Sequence, residues 1–95
     1  MNDSRETAFY TIETLVQVTG VEVARVRLYH ESGLIHPAGA RETGEQVFDD
    51  EAVYRLRRIE FLREEQGVSL EGVRIIFELM NEVHRLREEM RFLRS

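Results

Sequence analysis

Ile76, Leu79, Val83, Leu86, Met90 and Leu93 recur in uninterrupted steps of three and four residues, a spacing that dictates one long amphipathic helix over the last part of the chain. At 1.5 Å per residue, roughly 25 residues of helix extend about 38 Å. A chain of 95 residues has room for one small domain, which is too little body to cover a helix of that length. Ile75, Ile76 and Leu79 are therefore expected to cap the domain's own core, with Phe77 packing off the seam. Val83, Leu86, Met90 and Leu93 are expected to serve oligomerisation as a coiled-coil seam in a homodimer. Four such side chains at about 1.5 kcal/mol each supply several kcal/mol. A seam of fewer than three heptads is marginal alone, so the rest of the domain or another protein is expected to add to the contact.

Upstream of that helix the punctuation comes from glycine and cap residues. Thr11 is a good N-cap before Ile12, Leu15 and Val16, and Thr19-Gly20 stops this first helix. A second helix runs from about Glu22 to Glu31, with Val26 and Tyr29 on one face and Arg25 and Glu22 on others, and ends at Ser32-Gly33. Helix, tight turn and helix within roughly twenty residues is the spacing of a helix-turn-helix. Leu34-Ile35 is expected as a short extended piece, closed by the single proline, Pro37, and Gln46-Val47-Phe48 as a returning strand, together a two-stranded wing. Asp49 caps a third helix that carries Asp50 and Glu51 in its first turn, and Ala52, Val53, Leu56, Ile59 and Leu62 form its apolar stripe. Gln66-Gly67 ends that helix, and Ser69 caps the last one. The expected organisation is a flexible tail over 1–10, a winged helix-turn-helix domain over 11–68 and a C-terminal amphipathic helix over 69–95; the fold class is mainly α.

Composition removes several functions. With no cysteine, disulfides, thiol catalysis and thiolate metal sites are excluded. His30, His36 and His84 lack metal-ligand spacing, so no metal and no cofactor are expected. Asp49 and Asp50 have no nucleophile or acid/base partner nearby, so the chain is not expected to be an enzyme, and no small-molecule substrate is expected. With no effector domain expected beyond Ser95, small-molecule sensing is not expected either. The absence of an apolar run of spanning length or of a secretory start leads to the expectation of a cytoplasmic protein without a membrane partner.

The charge is uneven. Residues 38–51 hold five acids against one arginine, whereas residues 52–95 hold eight acids and nine arginines. All 13 basic residues are arginine. Arg55, Arg57, Arg58 and Arg63 are expected to form a solvated, ion-paired face with Glu51, Glu60 and Glu64. A DNA reader with so acidic a wing has to rely on Arg25, Arg27 and Arg41.

The run Ile12 to Pro37, in particular Thr19-Gly20-Val21, Arg27, Tyr29 and Gly33-Leu34-Ile35-His36-Pro37, resembles the DNA-binding half of MerR-type transcription regulators, and Leu62 to Val73 continues the likeness. The resemblance implies that Arg27 and Tyr29 face the DNA backbone. It also implies a Gly-Tyr-Arg-x-Tyr wing, of which Gly44 and Phe48 remain while Glu45 and Gln46 replace the tyrosine and the arginine. The same departure, with Val47-Phe48-Asp49-Asp50-Glu51-Ala52 and the run Leu79 to Glu89, is similar to the CbpM-type chaperone modulators. That resemblance implies a MerR-like fold that binds the J-domain of a DnaJ-like co-chaperone and restrains its action. The expected function is thus J-domain binding through the acidic segment Glu45, Asp49, Asp50 and Glu51. The alternative is a dimeric DNA-binding transcription regulator of heat-shock repressor type, with Arg25, Arg27, Tyr29 and Arg41 as contacts.

Overall fold

The computed structural model describes residues 8–94. Helix α1 (Ile12–Thr19) and helix α2 (Val23–Glu31) precede two short strands, β1 (Gly39–Ala40) and β2 (Gln46–Val47). Helix α3 (Asp50–Glu60) continues into a π-helical turn, Phe61–Glu65, and helix α4 (Leu70–Arg94) follows. Two compact units result, Met1–Phe61 and Leu62–Ser95. No helix among the described residues is long and apolar enough to cross a membrane.

In the first unit each helix starts and stops where local chemistry directs. The Thr11 hydroxyl accepts from the Thr14 amide at 3.2 Å and satisfies one of the free N–H groups of α1. Gly20 ends α1 at φ 76°, and its amide donates to the Val16 carbonyl. This left-handed residue reverses the chain so that Val21 is buried ahead of α2. The core beneath is built from Leu15, Val26, Tyr29, Phe48, Leu56 and Ile59, all with no exposed surface. Burying a side chain of this size is worth roughly 1.5–3 kcal/mol, so these six dominate the stability of the unit.

The wing departs from expectation in its first strand. Leu34 and Ile35 do not pair with the returning strand; their amides donate to the Tyr29 carbonyl at 2.8 and 3.4 Å, and both side chains are buried. They close the end of α2 and fill the core, which leaves their backbone unavailable to a sheet. The strand that pairs with β2 is Gly39–Ala40, antiparallel, with Gly39 opposite Val47 and Ala40 opposite Gln46. Phe48, expected in the returning strand, instead exchanges two backbone hydrogen bonds with Tyr10, at 2.7 and 2.8 Å. Tyr10 had been expected within a flexible tail; it is held at this bridge, and residues 1–7 of that tail lie outside the described residues.

Within the second unit, the Ser69 hydroxyl accepts from the Gly72 amide at 3.0 Å and caps α4. Val73 and Phe77 are the buried residues of this helix. Ile75 and Leu79 were expected to cap the core but are 48% and 60% exposed, so only Ile76 of that trio is partly covered. Every described residue from Asn81 onward is exposed.

A methyl group added at Gly20 would meet no heavy atom within 4 Å, so the cost of Gly20→Ala is conformational rather than steric. Holding alanine in the left-handed region is expected to destabilise the protein by roughly 1–2 kcal/mol, read as a lower urea midpoint at unchanged slope. An unchanged midpoint would show that the turn tolerates another backbone conformation.

Candidate functional site

Helix α2 carries three of the residues expected to meet DNA, and two of them are turned to other work. The Tyr29 ring is wholly buried and its hydroxyl donates to Glu60 Oε2 at 2.8 Å. A side chain with no exposed surface cannot reach a phosphate, so Tyr29 is a core residue and its assignment as a DNA contact is withdrawn. Arg25 Nη1 donates to Glu60 Oε1 at 3.0 Å, and Arg25 Nε lies 4.0 Å from Glu22. One carboxylate on α3 thus holds both side chains, across 31 and 35 residues of sequence. Arg27 is exposed and has no ion pair among the described residues. Of the wing, Arg41 Nη1 lies 3.4 Å from Glu45 Oε1, which offsets the charge of each within the same loop.

The acidic segment is satisfied locally at each position. Asp49 Oδ1 accepts from the amides of Glu51 at 3.1 Å and Ala52 at 3.4 Å and caps α3. Asp50 Oδ1 accepts from the Tyr10 hydroxyl at 2.6 Å, and Glu51 stands 3.9 Å from Arg55. The donors to Asp49 and Asp50 are neutral, so these bonds orient the carboxylates without cancelling their charge. The Tyr10 hydroxyl is in turn held above its ordinary value of 10.0, first by this hydrogen bond and then by desolvation and the charge of Asp50.

The arginines of α3 do not form the uniform ion-paired face expected of them. Arg55 Nε donates to the Leu34 carbonyl at 2.6 Å, and Arg57 Nη2 to the Val18 carbonyl at 3.2 Å. Both fasten loop or helix-end carbonyls. Arg58 lies 5.9 Å from the centre of the Tyr54 ring, within the range of a cation–π contact. Asp50, Val53, Tyr54, Arg57, Arg58 and Phe61 line a shallow groove of about 440 Å³ along the outer side of α3. Sequence reasoning missed this groove; its signal was Tyr54 and Phe61, two aromatics seven residues apart and off the apolar stripe.

On α4 the residues expected to serve oligomerisation, Val83, Leu86, Met90 and Leu93, are 46%, 45%, 60% and 82% exposed. A groove of about 360 Å³ lies between Ile76, Leu79, Met80, Val83, His84 and Arg87. Elsewhere on the helix Arg85 bonds to Glu82 and, at 2.6 Å, to Glu89, and its hydrogen bond and charge hold the Glu82 carboxyl below the ordinary carboxylate value. No cluster of three or more potential metal ligands occurs among the described residues.

Helix, left-handed glycine turn, helix and short wing define a helix-turn-helix regulator. Residues 10–79 match the family described as MerR HTH family regulatory protein, and the chain belongs to that family, in its CbpM-type branch of chaperone modulators. It is 37% identical over 84 residues to the chaperone modulatory protein CbpM of Pseudomonas entomophila (strain L48), covering 88% of this chain and 82% of that protein. With CbpM of Escherichia coli O1:K1 / APEC the identity is 30% over 89 residues, covering 94% and 87%. A putative heat shock protein HspR of Streptomyces coelicolor is 27% identical over 84 residues, 88% of this chain and 55% of that one. The fold is also that of the crystal structure of the HTH-type transcriptional regulator SkgA from Caulobacter crescentus, with a TM-score of 0.64 and 21% identity over 90% of this chain and 68% of that chain.

The bond from Tyr10 to Asp50 generates a pH-dependent expectation. A hydroxyl whose value is raised on folding contributes stability that is fully present below its unfolded value and is lost as pH rises through the folded one. Stability measured in urea between about pH 9 and 11 is expected to show a fall in the wild type that Tyr10→Phe lacks. Identical pH profiles would show that the bond does not persist in solution.

Proposed function

We propose that this chain binds the J-domain of a DnaJ-like co-chaperone and restrains its action, with the segment Glu45, Asp49, Asp50 and Glu51 forming part of the contact. The observation that carries the reading is the acidic character that survives at the wing and the start of α3. Residues 38–51 hold five acids and one arginine, and the closest contacts to Asp49 and Asp50 come from neutral groups. Such a surface attracts a basic partner and repels nucleic-acid phosphates. The likeness to chaperone modulatory proteins supports the same direction. In this reading the exposed seam of α4 pairs with a second copy and presents two domains to the partner.

Binding an operator as a dimeric regulator is the second reading, and one observation favours it: Arg27 stands exposed on α2 and unpaired among the described residues. Each protomer then brings one uncommitted guanidinium, because Arg25 is engaged by Glu60 and Arg41 by Glu45.

Calorimetric titration of the isolated J-domain into the full chain is expected to give a complex at micromolar concentration that weakens as salt rises. Glu45→Lys combined with Glu51→Lys is expected to weaken it roughly tenfold, since both side chains are exposed and the exchange reverses their charge. No complex at 100 μM would contradict the reading.

A further inference from the structure

Of the residues that line the outer groove of α3, Arg57 is held by the Val18 carbonyl and Asp50 by the Tyr10 hydroxyl, whereas Tyr54, Arg58 and Phe61 take no part in the capping and carbonyl contacts of this helix. Its members fall at positions 50, 53, 54, 57, 58 and 61, the spacing of a single helical stripe. Tyr54 is 52% exposed and Phe61 48% exposed, two aromatic side chains that each leave about half of their surface open. Between them stands Arg58, whose guanidinium lies over Tyr54 and has no ion pair among the described residues. At the far end the Asp50 side chain accepts from the Tyr10 hydroxyl at 2.6 Å. By the helical rise, Asp50 and Arg58 are roughly 12 Å apart along the axis, and Tyr54 and Phe61 roughly 10 Å.

We propose that this stripe is a polarised docking groove for a protein helix, and that it fixes the orientation of the partner. The occupant presents a carboxylate to Arg58, places an apolar side chain between Tyr54 and Phe61, and turns a basic group toward Asp50. Aromatic residues and arginine are the side chains that most often carry binding energy in such contacts. An acid at one end and an unpaired arginine two turns away complement a segment whose charges run in the opposite order. Asp50 and the neighbouring Glu51 also tell against a nucleic-acid strand in the groove, since both would lie beside its phosphates.

The inference rests on the chaperone-partner reading and adds the carboxylate-binding half of the contact. It makes a prediction opposite in sign to simple attraction between an acidic surface and a basic partner. Arg58→Glu makes the chain more acidic, so attraction alone would tighten the complex, whereas loss of the carboxylate contact weakens it. Titration of the isolated J-domain, with Arg58→Glu and Phe61→Ala each compared with wild type, is expected to show roughly tenfold weaker binding for both. Both side chains are exposed, and circular dichroism melts of the variants establish that the fold is retained. Amide shifts of the wild type on adding the J-domain are expected at Asp50, Tyr54, Arg58 and Phe61, which reads the groove without any substitution.

Wild-type binding that Arg58→Glu leaves unchanged or tightens would overturn the groove and leave the chaperone-partner reading standing. Absence of wild-type binding would overturn both. A groove whose amides shift with duplex DNA and not with the J-domain would assign it to nucleic acid and overturn the protein helix as occupant.

Discussion

The carboxylate of Glu60 is the interaction on which the first unit depends. It receives the Tyr29 hydroxyl on one oxygen and the Arg25 guanidinium on the other, and so ties α2 to α3. A hydrogen bond to a charged group is worth about 1.5–3 kcal/mol. Of the α2 residues expected to meet DNA, Tyr29 thus lies in the core and Arg25 is offset, while Arg27 is exposed with no ion pair among the described residues.

The same economy governs α3. Its inner stripe fills the core through Ala52, Val53, Leu56 and Ile59, its N-terminal acids cap the helix and hold Tyr10, and Arg55 and Arg57 fasten the carbonyls of Leu34 and Val18. Charged side chains that could serve a ligand serve the fold instead. Among the surfaces that stay exposed are Arg27 on α2, the acidic residues of the wing, the groove between Tyr54 and Phe61, and the α4 residues from Val83 to Leu93.

Much of the fold was legible because it is written in local chemistry. Thr11, Gly20, Asp49 and Ser69 mark helix ends through bonds to their own neighbours, Gly67 does so by its left-handed backbone, and the stripe of α3 follows from a period of 3.6. The wing was misplaced because an extended look at Leu34-Ile35 does not reveal that both amides return to the Tyr29 carbonyl. The site was harder to read. Glu60 sits at helical spacing from the arginines of its own helix, and nothing local says that it reaches instead across 31 and 35 residues to Tyr29 and Arg25. Tyr29 shows the same limit, since the position that faces phosphate in the resemblance is here closed by the core. Tyr54 and Phe61 stand out in the sequence only as residues outside the apolar stripe, and their half-exposure follows from packing that no local pattern encodes.

The central claim is that this helix-turn-helix has its DNA-facing chemistry engaged internally. The salt dependence of binding to a promoter duplex, followed by fluorescence anisotropy of the full chain, tests it most directly. Each neutralised phosphate contributes about −0.9 to the slope of log K against log salt concentration. With Tyr29 buried, Arg25 and Arg41 engaged, and Arg27 the one expected DNA contact without an ion pair among the described residues, no measurable complex is predicted near 150 mM salt, or a dimer slope no steeper than about −2. Tight binding with a slope of about −6 or steeper would show several phosphate contacts per protomer and contradict the account.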